Sequence, residues 1–195
     1  MKEFHRLSVP HKHPNLLSAE NTLLVVVDMQ EPFLRNIFDR ERVLANVCAL
    51  IKGANILQVP VLGTTQNTSR MGEIVAEVRR LLPVRQPLFD KMTFSCYADP
   101  SFSSEIIRSG RKQILLCGVE SHICVSQTAH DLVGFGYQAH VAVDAVSSRS
   151  EGNHQLGLEK MRQGGVFMSS VEAALYEMLQ EAGTNAFREI LHIIK

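Results

Sequence analysis

Charge of one sign is what this 195-residue chain lacks: 20 Lys and Arg are matched by 20 Asp and Glu, so the formal charge at pH 7 is zero. It has no basic stripe of the kind that neutralises phosphates and no run of like charges that would mark a tail. Neither nucleic acid nor an anionic lipid surface is therefore an expected partner. No apolar stretch near the start is long enough for a signal peptide, and none elsewhere reaches the length that spans a bilayer. The four cysteines, Cys48, Cys96, Cys117 and Cys124, form no C-x-x-C pair and no metal-finger spacing. These absences lead to the expectation of a cytoplasmic protein with free thiols, whose partners are a small-molecule substrate and copies of itself. Repeats, linkers and low-complexity segments are also missing. The expected organisation is an arm over residues 1–20 and one domain over residues 21–195.

What is present is an alternation of two patterns. Continuous β-rich apolar runs occur at "TLLVVVD", "VPVLGTTQ", "KQILLCG", "YQAHVAVDA" and "VFMSS". Such runs suit strands covered on both faces. Between them, "ERVLANVCALIKGANILQ", "MGEIVAEVRRLL", "PSFSSEIIRSG", "SHICVSQTAHDLVGFG" and "NHQLGLEKMRQGG" carry helical spacing, and "VEAALYEMLQEAG" and "AFREILHIIK" close the chain in helices. Strands alternating with helices predict an α/β protein, a three-layer αβα sandwich around a mostly parallel sheet. In such sheets ligands gather beyond the carboxyl ends of strands. Asp28, the stretch 64–67 and residues 118–124 all fall there, while Lys91 lies in "PLFDKMTFS" between predicted helices.

Cys124 draws attention because a turn, "GVES", precedes it. With Ser121 as N-cap the cysteine would be the third residue of a helix, where the dipole favours a thiolate; an unusually acidic thiol is expected. Free cysteines are also among the most buried residues, and local physics leaves both readings open. Cys48 and Cys117, on a helix face and in a strand, suit the buried role. Asp28 directly follows five apolar residues, so a charged or hydrogen-bonded partner is needed, and Lys91 could supply it. The histidines of "HKH" near the start suit a solvated role better than a metal site, which needs three or four converging ligands. Gln30, Phe33 and His122 are candidates for the pocket wall.

"LLVVVDMQEPF", "FDKMTFS" and "LLCGVESHICVSQTAHDL", in that order and at these intervals, resemble the isochorismatase-like cysteine hydrolase family from about Leu23 to Leu179. The resemblance implies a catalytic triad of Asp28, Lys91 and Cys124. It also implies a cis peptide between Val119 and Glu120, and an oxyanion hole from the amides of Glu120 and Cys124. The implied activity is hydrolysis of a small amide through a thioester at Cys124, with no cofactor, in a homo-oligomer. Nicotinamidases of this family carry an Asp-x-His metal pair after the second strand; "TTQNTS" stands there, so no metal is expected. Isochorismatases proper, which cleave a vinyl ether, generally lack the cysteine. The alternatives are a non-catalytic or redox-sensing member, the latter with Cys96 or Cys117 resolving an oxidised Cys124, and a vinyl ether hydrolase of the isochorismatase type.

Overall fold

The computed structural model describes residues 13–83 and 88–194. Six strands, β1 (Thr22–Val27), β2 (Val61–Gln66), β3 (Leu88–Lys91), β4 (Gln113–Val119), β5 (Gln138–Ser147) and β6 (Phe167–Ser169), form one sheet. Their order is β3-β2-β1-β4-β5-β6, and every neighbouring pair is parallel. The helices are α1 (Glu31–Leu34), α2 (Arg40–Ile56), α3 (Thr68–Met71), α4 (Ala76–Arg79), α5 (Pro100–Ser109), α6 (Cys124–Gly134), α7 (Glu151–Gln163), α8 (Val171–Leu179) and α9 (Asn185–Ile194).

The period of two along a strand distributes its side chains to opposite faces. In β1, Leu24 and Val26 join the core beneath α2, α8 and α9, while Leu23, Val25 and Val27 join the core beneath α5, α6 and α7. β4 splits likewise, Leu115 and Cys117 facing one way and Ile114 and Leu116 the other. Both faces being covered explains why the runs are apolar without alternation. The apolar stripe of α8 (Val171, Ala174, Leu175, Met178) is used up in this core, with Leu175 pressed on Gly53 of α2. α9 buries only Ile190.

Two local expectations are corrected. The helix predicted over residues 71–82 is broken: Gly72 takes φ +74°, Ile74 pairs with Gln30 in an antiparallel bridge, and the Val75 amide donates to the Met29 carbonyl at 2.9 Å. Burying Ile74 in that bridge outweighs the helical propensity of the segment. Lys91 does not lie between helices but ends the short edge strand β3, paired in register with Gln66. The expected loose arm is only in part described: residues 1–12, with most of "HKH", lie outside the described residues. Leu17 is fully buried, and Gln113 donates from its amide to the carbonyls of Pro14 and Leu16, each at 3.0 Å.

Candidate active site

The strand order reverses between β1 and β4, which leaves a crevice at their carboxyl ends. Asp28 ends β1 there with φ +50°, a left-handed conformation that aspartate tolerates better than most residues. Opposite it, Gly118 has φ +113°, and a Cβ at this position would lie 2.2 Å from the Val27 carbonyl oxygen. Only glycine lets the two strands approach so closely beneath the site.

Asp28 and Lys91 are each 1 % exposed, and Lys91 Nζ lies 2.7 Å from Asp28 Oδ2. The ammonium also donates to Gln66 Oε1 at 2.7 Å and to the Thr93 carbonyl at 3.2 Å. Thr64 Oγ1 donates to the second carboxylate oxygen of Asp28 at 2.7 Å. Burial pushes the Lys91 ammonium down, but Asp28, Cys96 and Cys124 together pull it above the usual lysine value. The pair is thus an ammonium and a carboxylate with their hydrogen-bonding capacity largely engaged, the condition under which buried charges persist.

Cys124 is the first residue of α6, where amides have no partner within the helix. Its thiol is within interaction range of Asp28 and Lys91. The expected N-cap is corrected: Ile123 occupies the cap position, and the Ser121 hydroxyl pairs instead with His154 Nδ1 at 3.2 Å. The expected acidity is also reversed. Burial, and then the negative charge of Asp28, push the Cys124 thiol well above the ordinary cysteine range; Lys91 pulls the other way but less. The reason is geometric, since the lysine's charge is already committed to Asp28 at 2.7 Å. The thiol rests protonated beside a carboxylate.

The Val119–Glu120 peptide bond is trans, not cis. The turn after β4 is closed in that form by the amides of Ile123 and Val125, which both donate to the Glu120 carbonyl, and by the Ser121 amide, which donates to the Ser147 carbonyl at 2.8 Å. Helix α7 braces the turn from outside. A Cβ on Gly157 would come within 2.8 Å of the Ser121 backbone.

A cavity of about 400 Å³ opens over Cys124. Its apolar wall is Pro32, Phe33, Met71, Phe94 and Ile123, and its polar groups are Asn36, Gln66, Asn67, Arg70, Glu120 and Arg149. Of the three residues expected there, Phe33 lines it. Gln30 does not; it is fully buried, donates to the Gly72 carbonyl at 2.6 Å and accepts from the Gln66 amide at 2.7 Å, so it ties β1 to the segment after β2. His122 does not line it either, because its ring is held against Ser148 Oγ at 2.5 Å and lies 3.5 Å from Glu120. Gln66 and Asn67 come from the stretch 64–67 expected at a strand end, whereas Arg70, Phe94 and Arg149 were missed, since no local pattern distinguishes them from ordinary surface residues. Cys96, undecided in sequence, is fully buried against Thr64 Oγ1 at 3.7 Å, and burial pushes its thiol up to about 11. Cys117 packs on the opposite face of the sheet from Cys124 and is not placed to resolve it. Among the described residues no three His, Cys, Asp or Glu side chains converge as metal ligands.

A six-stranded parallel sheet with an acid, a lysine and a cysteine at its switch point defines a class, the α/β proteins of the isochorismatase-like hydrolase fold. The family model described as Isochorismatase domain matches residues 22–173, and the chain belongs to the isochorismatase family. The secreted isochorismatase effector Isc1 of Phytophthora sojae is 37% identical over 193 residues, which cover 97% of this chain and 91% of that protein. The solved structure of MAR1 ribonuclease from Caenorhabditis elegans aligns with a TM-score of 0.86 at 31% identity, covering 91% of each chain. The YcaC gene product of Escherichia coli, described as an octameric hydrolase of unknown specificity, shares the fold at a TM-score of 0.84 and 21% identity, over 94% of this chain and 89% of that one.

Proposed function

We propose that the protein is a metal-independent cysteine hydrolase that cleaves a small amide through a thioester at Cys124. The observation that carries this reading is the buried Asp28–Lys91 pair, 2.7 Å apart, facing the thiol at the floor of a small cavity. As the sulfur attacks the substrate carbonyl, Asp28 accepts the thiol proton and the sulfur–carbon bond forms. The carbonyl oxygen becomes an oxyanion, held by the amides of Glu120 and Cys124 at the start of α6. Asp28 then returns the proton to the departing nitrogen, which leaves as ammonia or an amine when the carbon–nitrogen bond breaks. A water, deprotonated by Asp28, attacks the thioester, and the thiol is regenerated with release of the carboxylic acid. Lys91 stays hydrogen-bonded to Asp28 and holds its carboxylate in place between these transfers. Because the thiol is not acidic at rest, the proton must move with the attack, and the carboxylate beside it is the group that can take it.

An ammonia-release screen over small amides tests the reading. Turnover that disappears in Cys124→Ala, survives exhaustive chelation, and leaves an acyl mass on the Cys124 peptide after rapid quenching is the expected result. Turnover that persists in Cys124→Ala, or that chelation abolishes and zinc or manganese restores, would overturn it. The ribonuclease name of the C. elegans relative does not carry over as the favoured reading: the chain has no net positive charge, and the cavity suits a molecule of small size. We read the protein as a homo-oligomer in keeping with the octameric E. coli structure, with Met92 and Phe94, 72% and 56% exposed beside the cavity, as apolar contact groups. All four cysteines are unpaired, which suits a reducing compartment, and we place the protein in the cytoplasm. No helix among the described residues is long and apolar enough to cross a membrane.

A further inference from the structure

The cavity over Cys124 carries a charge that its own walls do not balance. Three of its lining residues are ionic: Arg70, Glu120 and Arg149. Glu120 is bound by Arg149, whose Nε lies 3.2 Å from one carboxylate oxygen and 3.3 Å from the other. Beneath them Asp28 and Lys91 cancel one another at 2.7 Å. Arg70 is left over. It stands exposed on the short helix α3, and among the described residues its guanidinium has neither an acid partner nor a hydrogen-bond acceptor. The rest of the cavity is apolar wall, with the neutral amides of Asn36, Gln66 and Asn67.

From this geometry we infer that Arg70 recognises a carboxylate, and that the substrate is a small amide carrying one carboxylate group away from its scissile carbonyl. The inference rests on the hydrolase reading for the word "amide"; the carboxylate half stands on the cavity alone. One surplus positive charge matches a monoanion better than a phosphate dianion. A planar guanidinium fork also suits a carboxylate in two-point contact. The apolar wall accepts the carbon skeleton between the two ends, and the thiol at the floor receives the carbonyl. A neutral amide would leave Arg70 without a counter-charge, so the cavity discriminates between substrates that differ only in this group.

The test does not require the substrate. Iodoacetate and iodoacetamide alkylate the same thiol and differ mainly in one negative charge. The ratio of their rates at Cys124 therefore reports the local field, and the thiolate fraction cancels. Rates are read by peptide mass spectrometry, with Cys48, on the far face of the sheet, as the reference within each sample. In the wild-type protein the iodoacetate-to-iodoacetamide ratio at Cys124 should exceed that at Cys48. In Arg70→Met it should fall about tenfold, the effect of one unit charge acting across a small, half-solvated pocket, and in Arg70→Lys by less. Raising the salt to 1 M should collapse the wild-type preference and leave Arg70→Met nearly unchanged. A ratio equal in wild type and Arg70→Met would overturn the proposal. If neither reagent modifies Cys124 in the wild type, the protonated, buried thiol is closed to alkylation, and the hydrolase reading is judged by its own amide screen. Arg70 is then judged by thermal shift: benzoate, but not benzamide, should raise the unfolding midpoint of wild type and Cys124→Ala, and should not raise that of Arg70→Met. Equal shifts with the two compounds would dispose of the carboxylate subsite.

Discussion

Replacing Lys91 by methionine while keeping Asp28 leaves a carboxylate that is 1 % exposed with the Thr64 hydroxyl and the Cys124 thiol as its remaining side-chain partners. Removing one member of a buried ion pair typically costs about 3–5 kcal/mol, most of it the penalty for the stranded charge. Asp28→Asn strands the ammonium instead. Lys91 then still has the Gln66 side chain and the Thr93 carbonyl as acceptors, so the loss should fall near the lower end, about 3 kcal/mol. The double variant strands nothing, because methionine and asparagine bury no charge. Its cost should be close to that of the milder single change, so the favourable coupling equals the loss from Lys91→Met, about 3–5 kcal/mol. Urea unfolding of the four proteins, at one protein concentration and near neutral pH, measures this cycle. Losses that add to within about 0.5 kcal/mol would mean that the two charges do not depend on each other, and the account of the site as a coupled buried pair would be wrong. The pH dependence has a definite sign. Lys91 is raised in the fold, so its contribution is complete below the unfolded lysine value of about 10.4 and is lost as the pH rises through the higher folded one.

Iodoacetamide labelling of Cys124 should keep accelerating well past pH 8.5, since burial and Asp28 hold the proton on the sulfur; an inflection at or below that value would refute this account of the thiol. Asp28→Asn should bring the inflection down, because it removes a charge that opposes the thiolate, and an inflection that moves upward would contradict the same account. Gly118→Ala should cost about 3 kcal/mol or more, or prevent folding, as its Cβ would meet backbone atoms of Val27 at 2.2–2.9 Å in a left-handed conformation; a soluble variant with unchanged unfolding would show that the strand contact is slack. Light scattering at micromolar concentration should return a multiple of the 21.8 kDa chain mass, and a monomer mass would remove the proposed assembly.

The fold was legible because both faces of the sheet are covered. A run such as "TLLVVVD" has no periodicity to misread, and its end marks where a side chain leaves the core for the crevice. The same logic failed at β3, four residues long with Leu88 and Phe89 half-buried, where the apolar signal is too weak to separate an edge strand from a loop. The grouping of Asp28, Lys91 and Cys124 could be read from three motifs lying far apart in the chain. The state of the thiol could not. It depends on how the lysine's charge is divided between an acid and a sulfur, a quantity set by distances of a few tenths of an ångström. Arg70 and Arg149 were invisible for a different reason. Each is an ordinary charged residue in a loop or short helix, and only the pairing of one with Glu120 leaves the other conspicuous.

The register of β1 against β4 has a bearing on how the chain reaches this state. Thr22 lies beside Gln113, 91 residues later, and the partnership runs the full length of the strand to Val27 and Gly118. Closing a loop of that length costs about 4 kcal/mol of chain entropy beyond the constant term, before the pairing returns anything. High contact order of this kind slows folding. During synthesis the acid and the lysine emerge well before the cysteine, and β1 remains an unpaired apolar edge on its inner side until β4 has been made. Nascent chains stalled between β3 and β4 should therefore be the species most dependent on chaperones and most prone to aggregate.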